Sequence, residues 1–283
     1  MHGAGILADA AAGLKVFSRE PPFVYIASMF PGDSTTPDAQ PLDVIYRDDY
    51  LVAINKPGGL LVHRSPIDRH ETRFALQLLR DQLGQRVYPV HRLDKPTSGL
   101  LLFALSPVIA RELSAQFADR SVTKDYLAVC RGYVAPEGVI DHALQEKYDR
   151  LADRGRGRDL PSREAVTRFR TLATVERAHQ VDRDPQSRYS LVALRPRTGR
   201  KHQLRRHMKH IGHPIIGDAK HGKGIHNRFF QRQYNCHGLL LACVGLRVAH
   251  PVGGGELSLR AGLDDNWGRV VAAFGWAAAI PRR

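Results

Sequence analysis

The sequence predicts an α+β fold in which strands outnumber helices. Two short β-prone runs, 44–46 and 51–54, are joined by turn-forming residues and predict an early hairpin. Further β-prone runs recur along the chain, whereas fewer segments carry apolar residues at helical spacing. With 283 residues, of which 43% are hydrophobic, the chain is long enough to bury a sizeable core.

The helices are predicted from apolar spacing and from the residues at their ends. The helix at 74–83 is followed by Gly84, a residue typical of a C-cap. Another begins with Ser106 as N-cap and Pro107 as first helical residue. Two more are predicted, at about 199–211 and at 267–274. Beyond the hairpin, strands are predicted at 122–134, 166–173, 189–194, 239–248 and 256–259.

Two segments are predicted to lie outside the core. Residues 1–40 are rich in Ala, Gly and Pro and predict a poorly ordered N-terminal extension, followed by a single domain at 41–283. Residues 146–164 are rich in Arg, Asp and Gly and predict a long polar loop.

The charge balance points to a polyanionic partner. The chain carries 42 Lys and Arg against 28 Asp and Glu, a formal net charge of +14. Such an excess favours nucleic acid or an acidic membrane surface. The apolar run at 239–246 is too short to span a bilayer, and we see no secretory signal. Three cysteines without a CxxC pair fit a reducing compartment, so a cytoplasmic monomer is expected.

The segment HRLDKPTSGLLLF, residues 91–103, combines one carboxylate with neighbouring cations and then a buried strand. Asp94 lies beside Arg92 and Lys95, with His91 close by. Cations keep an aspartate ionised, and an ionised aspartate on a loop beside a rigid strand suits nucleophilic or general-base chemistry. The alternative, taken from this segment alone, is a salt bridge in a surface loop.

A second dense segment, 195–209, contains seven Lys or Arg residues and no acid. Arg200 lies four residues before Leu204 on the apolar stripe of the predicted helix, which places it on the inward side. Because a buried cation needs a buried anion, we expect Arg200 to pair with Asp94.

Arg205, Arg206 and Lys209 are predicted to point outward from this helix, where they suit phosphates. A solvated basic face is the alternative, although cations without a compensating acid repel one another. The region also contains histidines three to five residues apart: His202, His207, His210 and His213. Their neighbours are cationic and no Cys or carboxylate joins them at ligand spacing, so no metal site is expected.

Several motifs, in order over about 42–259, resemble those of the RluA-type pseudouridine synthase family. HRLD at 91–94 with TSG at 97–99 resembles its active-site signature. Arginine-rich residues at 195–205 are similar to its arginine motif. The remaining matches are NKP at 55–57 with 62–63, KDY at 124–126 with Gly132, and Pro214 with 217–218. The chain departs from the family pattern at KHG, 220–222, where many relatives carry a tyrosine, and in the 146–164 insertion.

Within the family, His63-Arg64-Ser65 and the stretch 221–230 look like the TruC subgroup, which modifies uridine 65 of tRNA. Ribosomal members often carry an N-terminal S4 domain, and the leading segment here is too short and too Pro-rich for one. We therefore expect a tRNA enzyme. A ribosomal RNA synthase of the same family is the alternative, and a non-catalytic RNA-binding module is a rival from another class.

The resemblance implies a long, mostly antiparallel mixed sheet with flanking helices and a central catalytic cleft. It also implies isomerisation of uridine to pseudouridine in RNA without a cofactor. Asp94 would act on the ribose, either by attack at C1′ or by taking a ribose proton, and Arg200 would pair with it. Tyr126 would stack on the target base and take part in the final deprotonation at C5, whereas core packing is the alternative for a lone tyrosine in a strand.

A base inside folded RNA must be flipped out before it can react. Arg92 is predicted to fill the gap that the base leaves, with a simple phosphate contact as its alternative role. Leu204 is predicted to form the apolar wall of the base pocket, with ordinary helix packing as its alternative role. The residues predicted to contact RNA are His91, Arg92, Lys95, Lys201, His202, Arg205, Arg206 and Lys209.

Overall fold

A computed structural model describes residues 40–64, 70–145 and 161–281. The strands in these ranges are β1 (Asp43–Arg47), β2 (Leu51–Lys56), β3 (Tyr88–Pro89), β4 (Ser98–Ala104), β5 (Thr123–Arg131), β6 (Glu137–Asp141), β7 (Leu144–Gln145), β8 (Ser162–Arg163), β9 (Val166–Arg177), β10 (Ser187–Pro196), β11 (Leu241–Ala249) and β12 (Glu256–Arg260). The helices are α1 (Ala75–Leu83), α2 (Pro107–Ala118), α3 (Gln203–His210), α4 (Gly224–Tyr234), α5 (Asp265–Phe274) and a 3-10 turn at Ala277–Ala279.

Ten of these strands form one mixed sheet, and the predicted α+β fold is confirmed. Its order is β1-β2-β4-β11-β5-β10-β9-β6, with β3 paired to β4 and β12 paired to β11. The pairs within it are antiparallel except for β4 with β11, which is parallel. One edge of β11 pairs first with β4, in parallel, and then with β12, antiparallel. The partner and the direction of pairing therefore change in the middle of the sheet.

Helices cover both faces of the sheet, and alternate residues of β5 divide between two apolar clusters. Tyr126 and Ala128 belong to the cluster that receives α1, α2 and α3, whereas Leu127 and Val129 belong to the one that receives α4 and α5. The face that carries Tyr126 and α3 is the one on which the candidate site lies.

Gly99 allows the parallel contact at the centre of the sheet. It pairs with Cys243 of β11 and has a φ of 102°, a conformation that L side chains rarely adopt. A Cβ at this position would lie 2.1 Å from the Cys243 carbonyl oxygen. The close approach of β4 to β11 therefore depends on glycine, and it fixes the turn that contains Asp94 just before β4.

Several predicted element ends are confirmed. Gly84 has the left-handed conformation of a C-cap, with a φ of 67°. The Ser106 side chain accepts from the backbone N–H of Ile109 at the start of α2. The predicted extension at 1–40 lies outside the described residues except for Gln40, and so does the predicted loop except for 161–164. Among the described helices, none is long and apolar enough to cross a membrane.

The predicted start of the arginine-rich helix is wrong. His202 has a left-handed backbone, with φ 56° and ψ 28°, and α3 begins only at Gln203. The preceding turn is closed by Gln203, whose side-chain oxygen accepts from the Thr198 hydroxyl at 2.7 Å and the Arg200 backbone N–H at 3.0 Å. Arg200 therefore lies in a turn, where the helical spacing that placed it beside Leu204 does not apply.

Candidate active site

A cleft of about 580 Å³ opens on the α3 face of the sheet. Its walls are the turn around Asp94, the strand residue Tyr126, the turn at 198–202 and the α3 residues Leu204 and Arg205. The cleft thus brings together the two segments that the sequence singled out, which are more than a hundred residues apart along the chain.

Asp94 presents one carboxylate oxygen to the protein and the other to the cleft. Its Oδ2 accepts from Arg205 Nη1 at 2.9 Å, and its side chain is 19% exposed. Among the described residues, no hydrogen bond reaches Oδ1. The Asp94 backbone oxygen accepts from the Thr97 N–H at 3.0 Å, which closes the turn before β4. The carboxylate is therefore oriented by Arg205, with one oxygen available to a substrate.

Arg205 is held from behind by a second carboxylate. Its Nε and Nη2 each donate to Asp218 at 2.8 Å, one to each oxygen, and the two side chains are 6% and 1% exposed. Burial opposes the charged form of Arg205, but the hydrogen bonds to Asp218 and Asp94 outweigh it and raise the pKa of Arg205. Asp218 likewise has a lowered pKa, because its bonds to Arg205 and to backbone N–H groups outweigh burial.

The predicted pairing of Arg200 with Asp94 is therefore wrong, and so is the outward orientation of Arg205. Arg200 Nε donates to the Glu164 backbone oxygen at 3.0 Å instead. Arg205 is buried because α3 has a broad buried face, which packs on β9 and β10 at one side and on the Asp218 turn at the other. A helix enclosed on two sides does not follow the rule that residues off the apolar stripe face water.

The sequence neighbours of Asp94 do not supply its positive partner. His91 Nε2 accepts from the Leu102 backbone N–H at 3.0 Å, and its ring stacks on Phe117 with centroids 4.7 Å apart. Burial, reinforced by Lys124, lowers the pKa of His91 to about 3, so this imidazole is neutral. Lys95 Nζ pairs with Glu71. The expectation that His91 and Lys95 surround Asp94 as cations is wrong.

Lys56 supports the turn that contains Asp94 from the protein interior. It is fully buried, and its Nζ donates to three backbone oxygens, those of Pro57 at 2.7 Å, Leu60 at 2.9 Å and Lys95 at 3.2 Å. Burial lowers the pKa of Lys56 to about 7, against the attraction of Asp94. The sequence showed Lys56 only as part of the NKP motif and gave no sign that it is buried.

Tyr126 lies on β5 in the wall of the cleft, together with Lys124 two residues earlier on the strand. Its side chain is buried, and burial raises its pKa well above the ordinary value, with contributions from Cys243 and Asp94. The phenol of Tyr126 is therefore neutral at physiological pH. Asp94 and Tyr126 line the same cleft.

The remaining residues that are predicted to contact RNA differ in their exposure and in their distance from Asp94. Arg92 is exposed beside Asp94, with no hydrogen bond or ion pair to any described residue. Lys201 is exposed at the cleft and Lys209 is exposed at the end of α3, whereas Arg206 is half-buried. His202 lines the cleft, with Nε2 3.9 Å from Asp94 Oδ2. Its partner is His221, which the sequence analysis placed in the KHG departure and in the stretch 221–230, without a role in the site.

Leu204 is 6% exposed, lines the cleft and belongs to the core cluster, so its position fits both the pocket wall and helix packing. Asp218 was the main omission among the candidate site residues. The resemblance included it in a downstream element, but no local pattern indicates that a carboxylate is buried. Within the described ranges, no group of three His, Cys, Asp or Glu side chains is placed to hold a metal ion.

A carboxylate clamped by a buried arginine, facing a cleft rimmed with cations, defines an enzyme that acts on an anionic polymer. Residues 50–210 match the RNA pseudouridylate synthase family. The chain therefore belongs to that family, and it is an RNA pseudouridine synthase, an intramolecular isomerase.

Curated relatives are similar in sequence to this chain over most of its length. A tRNA pseudouridine synthase C from Pectobacterium carotovorum is 52% identical over 240 residues, which is 85% of this chain and 64% of that protein. One from Vibrio parahaemolyticus is 47% identical over 235 residues, 83% of this chain and 96% of that protein. Among solved structures, human RNA pseudouridylate synthase domain containing 1 aligns over 81% of this chain and 86% of its own, with a TM-score of 0.61 and 26% identity.

Proposed function

We propose that this protein converts uridine 65 of tRNA to pseudouridine, with Asp94 as the residue that acts on the ribose. The observation that carries the catalytic assignment is the Asp94–Arg205 pair, in which Oδ2 is held at 2.9 Å while the side chain lines the cleft and stays 19% exposed. The tRNA assignment is supported by relatives named tRNA pseudouridine synthase C at 47% and 52% identity, and position 65 by the subgroup motifs at 63–65 and 221–230.

The reaction needs no net redox change and no group donor. Asp94 Oδ1 either attacks C1′ or takes a ribose proton, and the uracil leaves with the electron pair of the N1–C1′ bond. The uracil rotates and its C5 forms the new bond to C1′. In the first route the Asp94–C1′ bond breaks at this step and releases the carboxylate, whereas in the second route Asp94 returns the proton to the ribose carbon. The C5 proton is then lost and N1 gains one. Arg205 donates to Asp94 Oδ2 and so fixes the orientation of the carboxylate for the first step, in which it acts as nucleophile or base.

Tyr126 is positioned to stack on the flipped base. Because burial raises its pKa, it enters the reaction as a phenol, and it accepts the C5 proton only after passing on its own. Stacking and hydrogen bonding to the uracil are therefore the roles that its environment supports. Arg92, exposed beside the cleft, is the residue we assign to the gap left by the flipped nucleotide.

The exposed cations around the cleft are assigned to the phosphate backbone. Lys201 and Lys209 are exposed on the same segment as Arg205. Each neutralised phosphate releases counterions, so the affinity for RNA falls steeply as salt rises. A salt-independent affinity would contradict this assignment.

The decisive experiment compares Asp94→Asn with Asp125→Asn on unmodified tRNA. Asp125 is a matched control, since it pairs with Arg195 at 2.7 Å on the other face of β5. Asp94→Asn is expected to abolish pseudouridine formation and to leave RNA affinity within a few-fold, whereas Asp125→Asn stays active. Activity near wild type in Asp94→Asn would refute the catalytic role.

The position is tested by mapping pseudouridines in tRNA and ribosomal RNA from cells that lack the gene. Loss of pseudouridine at position 65 of tRNA is expected, with restoration by the wild-type gene and not by Asp94→Asn. Loss of a ribosomal RNA site with tRNA unchanged would favour the ribosomal alternative. A complete map with no site lost would favour the non-catalytic module.

A further inference from the structure

Two histidines form a contact next to the Oδ2 atom of Asp94. His202 Nδ1 and His221 Nε2 are 2.9 Å apart, and their rings meet edge to face. His202 Nε2, on the other side of the same ring, lies 3.9 Å from Asp94 Oδ2. His202 is thus placed between His221 and the carboxylate to which the reaction is assigned.

The contact between two imidazole nitrogens restricts where the protons lie. One nitrogen must donate and the other must accept. If a neutral His202 carried its proton on Nδ1, the lone pair of Nε2 would face the Asp94 oxygen, and two acceptors would oppose each other. The arrangement without this repulsion has His221 Nε2–H donating to His202 Nδ1, and His202 Nε2–H directed towards Asp94.

Burial and the neighbouring positive groups favour the neutral form of His202. Burial is the main effect, and Arg205, His221 and Lys220 add to it, so the pKa of His202 is lowered to about 4 although Asp94 acts in the opposite direction. A neutral imidazole bears one N–H. The position of that single proton therefore decides whether His202 supports Asp94 or repels it.

His221 is itself fixed by the carboxylate that holds Arg205. Asp218 Oδ1 accepts from the His221 backbone N–H at 2.9 Å, and the Asp218 backbone oxygen accepts from the Gly222 N–H at 3.0 Å. The left-handed backbone of His202, with a φ of 56°, orients its ring from the other side. Both partners of the contact are thus held by backbone geometry.

We propose that His221 is a positioning residue for the isomerisation, because its N–H holds His202 as the Nε2–H tautomer whose dipole points at Asp94 Oδ2. Arg205 and His202 then both favour negative charge on Oδ2, and Oδ1 faces the ribose. The proposal rests on the proposed catalytic role of Asp94. It assigns a function to a residue of the KHG segment, 220–222, where the sequence departs from the family pattern.

The direct test is ¹⁵N NMR of the histidine rings in the full-length protein at neutral pH. His202 is expected as the Nε2–H tautomer in the wild type. In His221→Leu, the ring loses its donor and the Nδ1–H tautomer becomes populated. A wild-type spectrum with His202 protonated on Nδ1 overturns the proposal even if the Leu variant fails to fold.

Kinetics provide the second test. His221→Leu is expected to lower the single-turnover rate constant about tenfold, the equivalent of one hydrogen bond, with RNA affinity within twofold of wild type. His221→Gln is expected to regain most of the rate, because its amide nitrogen replaces the imidazole donor. His237→Leu, which removes an exposed histidine outside the cleft, is the matched control and retains the wild-type rate.

The two proposals fail in different ways. If the Asp94→Asn variant is active, the catalytic assignment of Asp94 is wrong. The tautomer of His202 is still decided by the NMR spectrum, which does not depend on activity. An inactive Asp94→Asn together with a His221→Leu variant at the wild-type rate removes the positioning role alone. A Gln variant as slow as the Leu variant also overturns it, since a merely spatial role does not depend on the donor.

Discussion

Arg205 reaches Asp94 with a single nitrogen, because Asp218 holds its other two at 2.8 Å each. The planar guanidinium is therefore locked as a fork between two carboxylates, one buried and one in the cleft. Since Asp218 also accepts from the backbone N–H groups of Lys220 and His221, the position of Asp94 is set by the protein interior. The site is formed before any RNA binds.

Replacing Arg205 with lysine is expected to lower the single-turnover rate by about a hundredfold or more, the scale of disrupting a buried ion pair. A single ammonium group does not reproduce three directed hydrogen bonds. Arg200→Lys is the control, because its guanidinium donates to the Glu164 backbone oxygen and not to Asp94. We expect only a few-fold change there. Equal losses in the two variants would show that Arg205 has no special place beside Asp94.

Asp218→Asn is expected to lower the free energy of unfolding by about 3 kcal/mol, because it leaves buried Arg205 with only one negative partner. Urea unfolding of the free protein measures the loss. Glu176→Gln is a suitable comparison, since it breaks the exposed pair with Arg188 and costs less than about 1 kcal/mol. If both variants unfold at the same urea concentration, the buried clamp contributes no more than a surface pair.

The sequence predicted helix ends correctly where a residue affects only the backbone next to it. Gly84 and Ser106 end and begin helices as predicted, because a left-handed residue and a capping hydroxyl need no distant partner. Helix α4 was not predicted, since its buried residues include His226, which interrupts the apolar pattern. Arg205 was misplaced for a related reason, as its burial depends on Asp218 in another turn.

Gly99→Ala is expected to destabilise the protein by more than about 4 kcal/mol, in the range reserved for severe disruptions. The new Cβ would lie 2.1 Å from the Cys243 carbonyl oxygen, so β4 and β11 would have to separate. Gly59→Ala isolates the backbone effect, because Gly59 also has a positive φ, 88°, but nothing lies within 4 Å of its Cβ position. Its expected cost is about 1–2 kcal/mol, and a similar cost for both variants would contradict the steric argument.

His91 is expected to make the protein sensitive to mild acid. Burial, with Lys124, lowers its pKa in the folded state to about 3, below the value of 6.5 for a free imidazole. Between these values the unfolded chain binds a proton that the folded protein does not. The stabilising contribution is therefore complete above about pH 6.5 and is lost as the pH falls towards 3.

His91→Gln tests this dependence, because a glutamine oxygen accepts from the Leu102 N–H in place of Nε2 without titrating. Losing the ring contact with Phe117 lowers stability at every pH, so the informative quantity is the slope of unfolding free energy against pH. Below pH 6.5 the wild-type slope is expected to exceed that of the variant by up to about 1.4 kcal/mol per pH unit, the limit for one proton. Parallel curves for the two proteins would mean that protonation of His91 does not drive acid unfolding, and that its imidazole is not the neutral acceptor that the Leu102 contact requires.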